Sequence, residues 1–490
     1  MPLPRSAAPT DRPVIIWFRE DLRLADNRAL AAAAATGQPV LAVYVFDEDS
    51  PGVRPLGGAS RWWLHHSLAA LTADLARLRT GLHIYRGAAG ALVPKLAKAT
   101  GATGVFWSRR YGAAERAVDT AVKSALHDAG IAAESCNDHL LIEPWEIKTK
   151  AGEPFKVFTP FWRTVRAVGD PSLPLPSPKS LRAAEAPASP KPTTQDSLSL
   201  LPTKPNWTGG LRETWTPGEA GARKQLSLFI AKRLPTYAAS RDRPDLAFTS
   251  GLSPHLRFGE ISPRQVWHAT ARAAEDGSAP HGDAEKFLSE LGWREFSYYL
   301  LFHHPDLATA NFDDRFDAFP WAKDTKTLRA WQRGRTGYPI VDAGLRELWH
   351  TGVMHNRVRM IAASFLIKHL LIDWRRGEQW FWDTLVDADP ANNPASWQWV
   401  AGSGADAAPY FRIFNPVLQG TKFDPEGAYV RRWVPELAKL PPKHIHQPWE
   451  VPAGVLEAAG IALGRDYPHP IVALDEGRAR ALAAFDRIKR

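Results

Sequence analysis

The segment from Asp387 to Trp399 concentrates side chains that can do chemistry, in the order Asp-Ala-Asp-Pro-Ala-Asn-Asn-Pro-Ala-Ser-Trp-Gln-Trp. Carboxylates can hold polar edges of a ligand, amides can hydrogen-bond ring nitrogens, and indoles offer flat surfaces for stacking. That combination suits a flat heteroaromatic cofactor whose electronics the protein tunes. Asp-Pro and Asn-Pro also form turns and Trp often only packs, so a structural role is the alternative. With this many helix breakers, the segment is not expected to form a core helix.

A hydroxyl-rich turn lies at Thr249-Ser250-Gly251-Leu252-Ser253-Pro254. Its hydroxyls and backbone N–H groups suit the binding of a phosphate. Hydroxyls at such positions also cap helices, so both interpretations stay open.

Glu290, Trp293 and Arg294 are three and four positions apart and therefore share one face of a predicted helix, with Glu295 beside them. On that face a carboxylate can hydrogen-bond the edge of a base-like ring while the indole stacks on the ring. The alternative is an intrahelical Glu–Arg pair with the indole as core filler, and these residues alone favour that alternative.

The segment Met354–Met360 is denser in functional side chains than a surface helix requires. Asn356 and Met360 are four positions apart, and so are His355 and Arg359. No second histidine or carboxylate lies at ligand spacing, so no metal site is predicted here. A satisfied core histidine is the structural alternative for His355.

The composition is typical of a soluble globular protein, with 44% hydrophobic and 23% charged residues, and 490 residues predict at least two domains. Lys and Arg number 61 against 52 Asp and Glu, and the net charge of +9 is compatible with a phosphate-rich partner. The 20 Trp indicate stacking or electron transfer, with chance enrichment in an Ala-rich sequence as the alternative.

The single cysteine, Cys136, excludes an intramolecular disulfide framework and a cysteine-ligated zinc or iron–sulfur site. The expected compartment is the reducing cytoplasm. Met1–Pro13 is polar and proline-rich without the apolar core of a signal peptide, and no apolar run is long enough to span a bilayer.

Residues 12–145 are predicted to form an α/β domain. The predicted strands are the short apolar runs Val14–Phe18, Val40–Phe46, Leu82–Tyr85 and Gly104–Ser108. Helical stretches lie between them, and leucines at steps of three and four make Arg61–Arg79 amphipathic. This alternation predicts a parallel sheet covered on both faces. The charged run Phe18–Arg23, rather than a glycine-rich dinucleotide fingerprint, follows the first strand.

Residues 146–218 are predicted to be an interdomain linker, because the proline-rich sequence from about Asp170 to Pro217 does not form regular structure easily. Residues 219–490 are predicted to be a helical domain, large enough to enclose a cofactor. Its predicted helices are Glu219–Leu234, Ser262–Glu275, Ala284–His303, Thr325–Arg333, Tyr338–Thr351, Arg357–Ile372 and Gly377–Asp387. Ser262, before Pro263, is expected to cap its helix.

Several segments, in order along the chain, resemble the signature segments of the DNA photolyase/cryptochrome flavoproteins. They are Trp17–Asn27, Pro154–Phe161, Trp293–Phe296, Thr336–Ala343, Met354–Met360 and Tyr410–Pro416, and together they extend over nearly the whole chain. The resemblance implies a Rossmann-like α/β antenna domain with a parallel sheet, a long linker and an all-α FAD-binding domain, in a monomer.

The resemblance also assigns cofactor residues by matching position. The residues expected to hold the FAD phosphates are Tyr237, Thr249, Ser250, Leu252 and Ser253. Those expected around the rest of the cofactor are Arg294, Asn356, Arg359, Asp387, Asp389 and Asn393. Arg359 and Asp387 would pair over the flavin, and Asn393 would face N5, where an amide favours neutral or fully reduced flavin. The matching electron-transfer tryptophans are Trp397, Trp374 and Trp321, whose spacing alone does not link them.

The implied activity is light-driven repair of UV-damaged DNA, in which excited reduced FAD passes an electron to a pyrimidine dimer flipped into the site; photolyases are among the base-flipping enzymes. The residues implied as catalytic or lesion-binding are Glu290, Trp293, Asn356, Met360, Asn393 and Trp399. Arg241, Arg357 and Arg412 would contact phosphates around the lesion, which makes binding salt-dependent.

Two finer expectations concern the lesion and the antenna. Enzymes for the (6-4) photoproduct use a histidine pair near Met354–Met360, but Met360 stands here at the second position, and iron–sulfur (6-4) enzymes need several cysteines. The cyclobutane pyrimidine dimer is therefore expected. Ala114-Glu115-Arg116 matches a folate-binding Asn-Glu-Arg motif without its Asn, so methenyltetrahydrofolate is the expected antenna, with a deazaflavin or an empty site as alternatives. Phe287 and Val353 replace Trp of bacterial relatives.

A cryptochrome-type blue-light photoreceptor is the rival from another class. Plant-type receptors commonly have an acid at the position of Asn393 and long C-terminal extensions, whereas this sequence ends at Arg490, so both features favour repair. A basic nucleic-acid-binding scaffold without chemistry is the third interpretation, and it fits the charge but not the flavin-type residues.

Overall fold

The computed structural model describes residues 11–408 and 411–489, so Tyr410 of the last signature segment lies outside the described residues. The N-terminal part is built on one five-stranded sheet. Its strands are β1 (Val14–Phe18), β2 (Val40–Phe46), β3 (Leu82–Arg86), β4 (Gly104–Ser108) and β5 (Ala132–Cys136). Their order is β3-β2-β1-β4-β5 and each neighbouring pair is parallel, which confirms the predicted α/β fold class.

Helices cover both faces of the sheet. They are α1 (Arg28–Ala35), α2 (Gly58–Arg77), α3 (Ala89–Thr100) and α4 (Ala113–Asp128). Alternate residues of β1 enter opposite cores, Ile16 and Phe18 on one face and Ile15 and Trp17 on the other. The sequence does not predict β5, because Ala-Ala-Glu-Ser-Cys has no continuous apolar run and forms a partly exposed edge.

The rest of the described chain is mostly helical. In chain order its helices are α5 (Phe158–Ala167), α6 (Gly209–Thr214), α7 (Glu219–Lys232), α8 (Tyr237–Ser240), α9 (Ser253–Arg257), α10 (Pro263–Glu275), α11 (His281–His303), α12 (Thr325–Gln332), α13 (Pro339–Thr351), α14 (Asn356–Ser364), α15 (Trp374–Thr384), α16 (Asn392–Ala401), α17 (Pro416–Phe423), α18 (Ala428–Trp433), α19 (Pro442–Ile445), α20 (Ala453–Ala459) and α21 (Leu474–Ile488). Ser262 caps α10 as predicted, accepting from the backbone of Gln265. Within the described ranges, no helix is long and apolar enough to cross a bilayer.

The interval 146–218 contains regular structure as well as extended chain. Helix α5 lies within it and packs Phe161 against Phe296 and Tyr299 of α11, with ring centroids 5.2 and 5.0 Å apart. Beyond α5 the chain runs along the α/β domain, where it forms isolated bridges to β2 and β3. Helix α5 is therefore part of the packing of the helical region and not a free connection.

The segment Asp387–Trp399 is helical in its second half, so the expectation that its helix breakers prevent a helix is wrong. Pro394 lies in the first turn of α16, where a backbone N–H has no intrahelical acceptor to lose. Oδ1 of Asp389 accepts hydrogen bonds from the N–H groups of Ala391 and Asn392 at 2.8 and 2.7 Å. The Asp389 carboxylate thus orders the turn that leads into α16, and the proline is compatible with the first turn of the helix.

A buried ionic cluster joins the two domains near the carboxyl ends of β1 and β5. Arg264 of α10 lies between Asp26 and Asp138, with Nε 3.0 Å from one carboxylate and Nη2 3.3 Å from the other. Arg23 approaches Asp138 to 3.7 Å. All four side chains are buried, so removal of one charge leaves the others uncompensated in a low-dielectric environment.

Replacing Arg264 with methionine is expected to lower the free energy of unfolding by about 3–5 kcal/mol, because two buried carboxylates lose their partner. Urea unfolding followed by tryptophan fluorescence measures the change. Arg182→Met is the control, since Arg182 pairs with an exposed carboxylate of Asp11, and its expected cost is below about 1 kcal/mol. Equal small losses in both variants would show that the cluster does not hold the domains together.

Candidate active site

Helices α14 and α16 pack together, and an ion pair joins α14 to the chain that leads into α16. Arg359 of α14 donates from Nη2 to both carboxylate oxygens of Asp387, at 3.1 and 2.9 Å. Its Nε donates to the carbonyl oxygen of Met354 at 2.7 Å. The structure therefore brings together the two residues predicted to pair over a flavin, and it fixes the guanidinium from two sides.

Asn393, in the first turn of α16, is held by Glu378 of α15. Its Nδ2 donates to the carbonyl oxygen of Glu378 at 3.1 Å and to the side-chain Oε1 at 2.9 Å. Glu378 is buried and pairs with Arg54, whose Nη1 and Nη2 lie 2.7 and 2.8 Å from its two oxygens. The Asn393 carbonyl oxygen is thus the end of the amide that faces away from Glu378, and it suits a ring N–H donor.

The sequence does not point to Glu378 or Arg54 as site residues. Arg54 follows β2 and lies 324 positions before Glu378, and neither belongs to a recognisable motif. A buried carboxylate with a bidentate arginine is recognisable only once the fold brings the two domains together.

Two of the residues predicted to contact the cofactor, Asp389 and Arg294, are hydrogen-bonded to other residues of the protein. Oδ2 of Asp389 accepts from the hydroxyl of Tyr298 at 2.7 Å. Burial, aided by this carboxylate, raises the pKa of Tyr298 well above its usual value, so the phenol remains a donor. Arg294 donates to the carbonyl oxygen of His139 at 2.8 Å and lies 2.7 Å from its Nε2, at the domain interface. Contact of Asp389 or Arg294 with a cofactor stays a prediction.

The three tryptophans predicted to carry electrons gather around α15. Trp397 of α16 lies against Gly377, where a Cβ would collide with the indole. Trp374, the first residue of α15, is fully buried and donates from Nε1 to a side-chain amide at 2.9 Å. Trp321 is partly buried, and the residue after it forms a β-bridge with the chain just before α15. The fold thus groups residues whose sequence spacing says nothing about proximity.

Side chains from the middle of α7 and from the residue just after it hold the hydroxyl-rich turn. Gln225 donates to the carbonyl oxygen of Ser250 at 2.6 Å, and Arg233 donates to that of Thr249 at 2.9 Å. Of the other predicted phosphate residues, Tyr237 and Leu252 are buried and Ser253 begins α9. The turn is thus held in one conformation by its carbonyl groups, and phosphate binding there stays a prediction.

Two indoles are predicted to flank the lesion, Trp293 and Trp399. Each packs against or hydrogen-bonds a residue, Phe158 or Asp406, and these two residues contact each other. Trp293 stacks on Phe158 of α5, with centroids 3.9 Å apart and planes at 10°. Trp399 donates from Nε1 to the carbonyl oxygen of Asp406 at 2.9 Å. Burial raises the pKa of Asp406, and the backbone N–H of Phe158 lies against its carboxyl group and opposes that shift. Helix α5, from the predicted linker, therefore takes part in this site.

A cationic pocket of roughly 500 Å³ lies at the beginning of α14. It is lined by Arg243, Arg357, Arg412, Lys422, the acidic Asp242 and several uncharged side chains. A smaller pocket shares Arg412 with it and reaches Trp399. The predicted residues Arg357 and Arg412 are thus brought together, and Arg243 and Lys422 join them; the only sequence signal for Lys422 is its place on the helix after the last signature segment.

Arg241 and Glu290 pair with each other across α8 and α11. The guanidinium and the carboxylate make two contacts, of which that between Nη2 and Oε2 is 3.0 Å. The intrahelical Glu290–Arg294 pair that the residues alone favour is not the arrangement observed. Asn356 is exposed at the first position of α14, and Met360 is partly buried one turn later.

Two family models match the chain. One, described as DNA photolyase, matches residues 14–179, and one, described as FAD binding domain of DNA photolyase, matches residues 287–487. A deoxyribodipyrimidine photo-lyase of Agrobacterium fabrum (strain C58 / ATCC 33970) is 54% identical over 98% of this chain and 98% of its own. Cryptochrome-1 of Arabidopsis thaliana is 42% identical over 97% of this chain and 70% of its own.

The crystal structure of a bacterial class III photolyase from Agrobacterium tumefaciens matches with a TM-score of 0.94 and 52% identity, covering 99% of both chains. A parallel-sheet domain joined to a helical FAD-binding domain defines a light-dependent flavoprotein of the photolyase type. The chain belongs to the DNA photolyase/cryptochrome family.

The donor set of the site fits FAD, the cofactor of this family. Arg359 offers a guanidinium, Asp387 a carboxylate and Asn393 a carbonyl oxygen, which match the mixed donor and acceptor edges of an isoalloxazine ring. These residues would hold and polarise the ring, while the ring itself supplies the redox chemistry.

Glu347 of α13 holds the beginning of α14, and no sequence motif singles it out. Its Oε2 accepts from the hydroxyl of Tyr429 at 2.6 Å and from the backbone N–H of His355 at 3.2 Å. His355 immediately precedes α14, which carries Asn356 and Arg359. Burial raises the pKa of Glu347 to about 7.

Glu347 is expected to make stability depend on pH. In the unfolded chain its pKa is near the ordinary value of 4.5, whereas in the folded chain the pKa is about 7, so the folded state binds more protons between these pH values. Its contribution is complete below pH 4.5 and is lost as pH rises through 7. Glu347→Gln should therefore gain up to about 3 kcal/mol relative to the wild type between pH 4.5 and pH 8.

Urea unfolding at a series of pH values measures this difference between variant and wild type. Glu436→Gln is the control, because Glu436 lies in a partly exposed pair with Arg346. A difference that does not change with pH would show that Glu347 ionises normally in the folded chain.

Proposed function

We propose that this protein repairs cyclobutane pyrimidine dimers in UV-damaged DNA, using light and FAD. The observation that carries the proposal is the presence of a flavin-type donor set, Arg359, Asp387 and Asn393, together with a cationic pocket. A smaller pocket, which shares Arg412 with the cationic one, reaches the indole of Trp399. The deoxyribodipyrimidine photo-lyase that is 54% identical over nearly the full length supports the same activity.

The chain's own residues would bind and orient the substrate. Arg357 and Arg412, with Arg243 and Lys422 beside them, bind phosphates on either side of a flipped dinucleotide. Trp293 and Trp399 offer flat faces for its bases. When bound, reduced FAD supplies an electron to the dimer on excitation and recovers it, so the reaction has no net redox change.

Four further residues take the remaining roles in this proposal. Glu290 accepts a hydrogen bond from the polar edge of the dimer and thereby orients it. Asn356 and Met360, one turn apart at the start of α14, complete the pocket. Asn393 offers its carbonyl oxygen to the N–H at the flavin N5 position, which favours a reduced cofactor.

A blue-light photoreceptor of the cryptochrome type is the second candidate, and the 42% identity with Cryptochrome-1 of Arabidopsis thaliana favours it. Against it stands the amide Asn393, whose orientation by Glu378 suits a reduced flavin. Met360 in place of a second histidine argues against repair of the (6-4) photoproduct.

The proposal includes an antenna, a monomer and a cytoplasmic location. We assign methenyltetrahydrofolate to the α/β domain near Glu115, which lies in the first turn of α4. The guanidinium of the next residue, Arg116, lies 4.5 Å from the ring centroid of Phe302 and so links this region to α11. Spectra of the purified protein, before and after extraction of the pterin, test the antenna.

Repair is tested with two oligonucleotides that differ only in one thymine cyclobutane dimer. The reduced, FAD-loaded protein should restore absorbance near the DNA maximum under blue light and not in the dark. Glu290→Ala should keep FAD and lose most of the repair yield, by about tenfold or more. No light-dependent restoration by wild-type protein with reduced FAD bound would overturn the proposed function.

Trp397→Phe tests the electron-transfer role of Trp397, which lies one turn after Asn393 on α16. Light-driven reduction of oxidised FAD should slow by at least about tenfold, because phenylalanine is much harder to oxidise than tryptophan. Repair should persist when the cofactor is reduced chemically beforehand. Trp449→Phe is the control, since Trp449 packs against Tyr338 and is not among the tryptophans that match the electron-transfer positions. An unchanged rate of photoreduction in Trp397→Phe would show that Trp397 does not carry electrons to the flavin.

A further inference from the structure

Arg241 and Glu290, here called the coupling pair, provide each other with a hydrogen-bonded partner of opposite charge. Its contacts join the two terminal guanidinium nitrogens to the two carboxylate oxygens, which is the strongest geometry for such a pair. The arginine side chain is 13% exposed and the glutamate 26%, so the pair is largely withdrawn from water. Lys286, one turn before Glu290, adds a contact of 3.2 Å from the solvent side.

The proposed function gives these two side chains different partners. Arg241 would contact a DNA phosphate, and Glu290 would accept a hydrogen bond from the polar edge of the dimer. Each new contact competes with the pair, which already uses both terminal guanidinium nitrogens and both carboxylate oxygens. Opening the pair for one purpose therefore releases the other group as well.

Damaged and undamaged DNA differ in what they offer to the released groups. Undamaged duplex offers Arg241 a phosphate but leaves the carboxylate of Glu290 with only the exposed Lys286 beside a polyanion, which is unfavourable. A flipped dimer supplies a donor for Glu290 at the same time as the backbone supplies a phosphate for Arg241. Only the damaged substrate replaces both halves of the pair.

We propose that the coupling pair determines lesion specificity, because it makes phosphate binding by Arg241 conditional on lesion binding by Glu290. This inference rests on the proposed function and adds to it a source of discrimination other than the shape of the pocket. Reciprocal coupling of two binding events through one shared contact is the thermodynamic basis.

Neighbouring charges extend the same arrangement toward the cationic pocket. Asp242 lies 3.9 Å from Nε of Arg241 and 2.8 Å from Nη2 of Arg357. Acidic and basic side chains thus alternate in the order Glu290, Arg241, Asp242, Arg357, and the row carries no net charge. When DNA binds, the arginines of this row exchange their carboxylate partners for phosphates. At one end of the row, Glu290 exchanges Arg241 for the lesion.

Glu290→Gln tests the proposal, because it removes the charge and keeps the size of the side chain. Affinity for undamaged duplex should rise about fivefold at low salt, the range of a partly exposed ion pair. The slope of log affinity against log salt should become steeper by about 1, as one more cation becomes available to phosphate. Affinity for the dimer-containing duplex should rise less or fall, so the ratio of the two affinities decreases.

Fluorescence anisotropy with two duplexes that differ only in the dimer measures these affinities. Glu285→Gln is the matched control: it removes one negative charge from the same helix, in an exposed pair with Arg166, without touching the coupling pair. Its ratio of affinities should equal that of the wild type. The double variant Arg241→Met with Glu290→Gln should lose the gain for undamaged DNA.

Two results would overturn the proposal. One is an unchanged affinity of Glu290→Gln for undamaged duplex, and the other is an equal gain in Glu285→Gln, which would reflect net charge alone. Light-dependent repair by the wild type is measured separately. Its absence would refute the proposed function, whereas failure of the affinity test with repair intact would refute only the coupling.

Discussion

The ion pair between Arg359 and Asp387 is the contact on which the geometry of the site depends. The same guanidinium also binds the carbonyl oxygen of Met354, so it fixes the turn before α14 and the chain before α16 relative to each other. Helix α14 carries Asn356 and Met360. Helix α16 carries Asn393, Trp397 and Trp399. A small displacement of either helix would move the cofactor-facing and lesion-facing groups together. The pair can have this effect because its carboxylate is buried, where an unpaired charge is costly.

The α/β domain contributes to the same site and is more than a support for an antenna. Arg54, from the chain after β2, makes a bidentate pair with Glu378 and lies 3.9 Å from the ring centroid of Trp382. Through Glu378 it orients the amide of Asn393. Because both charges are satisfied across the domain interface, relative movement of the domains would leave a buried carboxylate unpaired. The contact between the domains therefore helps to fix the orientation of Asn393, the residue that would face the flavin ring.

Local sequence predicts local structure well and partner choice poorly. Continuous apolar runs give the bounds of β1, β2 and β4, and Ser262 before Pro263 gives the start of α10, because burial of a central strand and helix capping are short-range properties. Helix α16 is missed because its start depends on the side chain of Asp389 rather than on the propensities of its own residues. The resemblance to a family supplies the identity of Arg359, Asp387 and Asn393, but it does not supply Glu378, the carboxylate that orients the amide of Asn393.

Partners separated by tens or hundreds of positions account for what the sequence does not predict. Helical spacing favours a Glu290–Arg294 pair, worth only a few tenths of a kcal/mol on a helix surface, and the fold replaces it with Arg241 for one residue and the His139 loop for the other. The acidic residues around the site are paired in the same way, as Asp242 with Arg357 and Asp387 with Arg359 show. A cationic pocket can therefore exist in a chain with a net charge of only +9, because two of its arginines are held in ion pairs, Arg357 with Asp242 and Arg243 with Asp245. Electrostatic affinity of this kind depends on the arrangement of pairs, which composition alone cannot reveal.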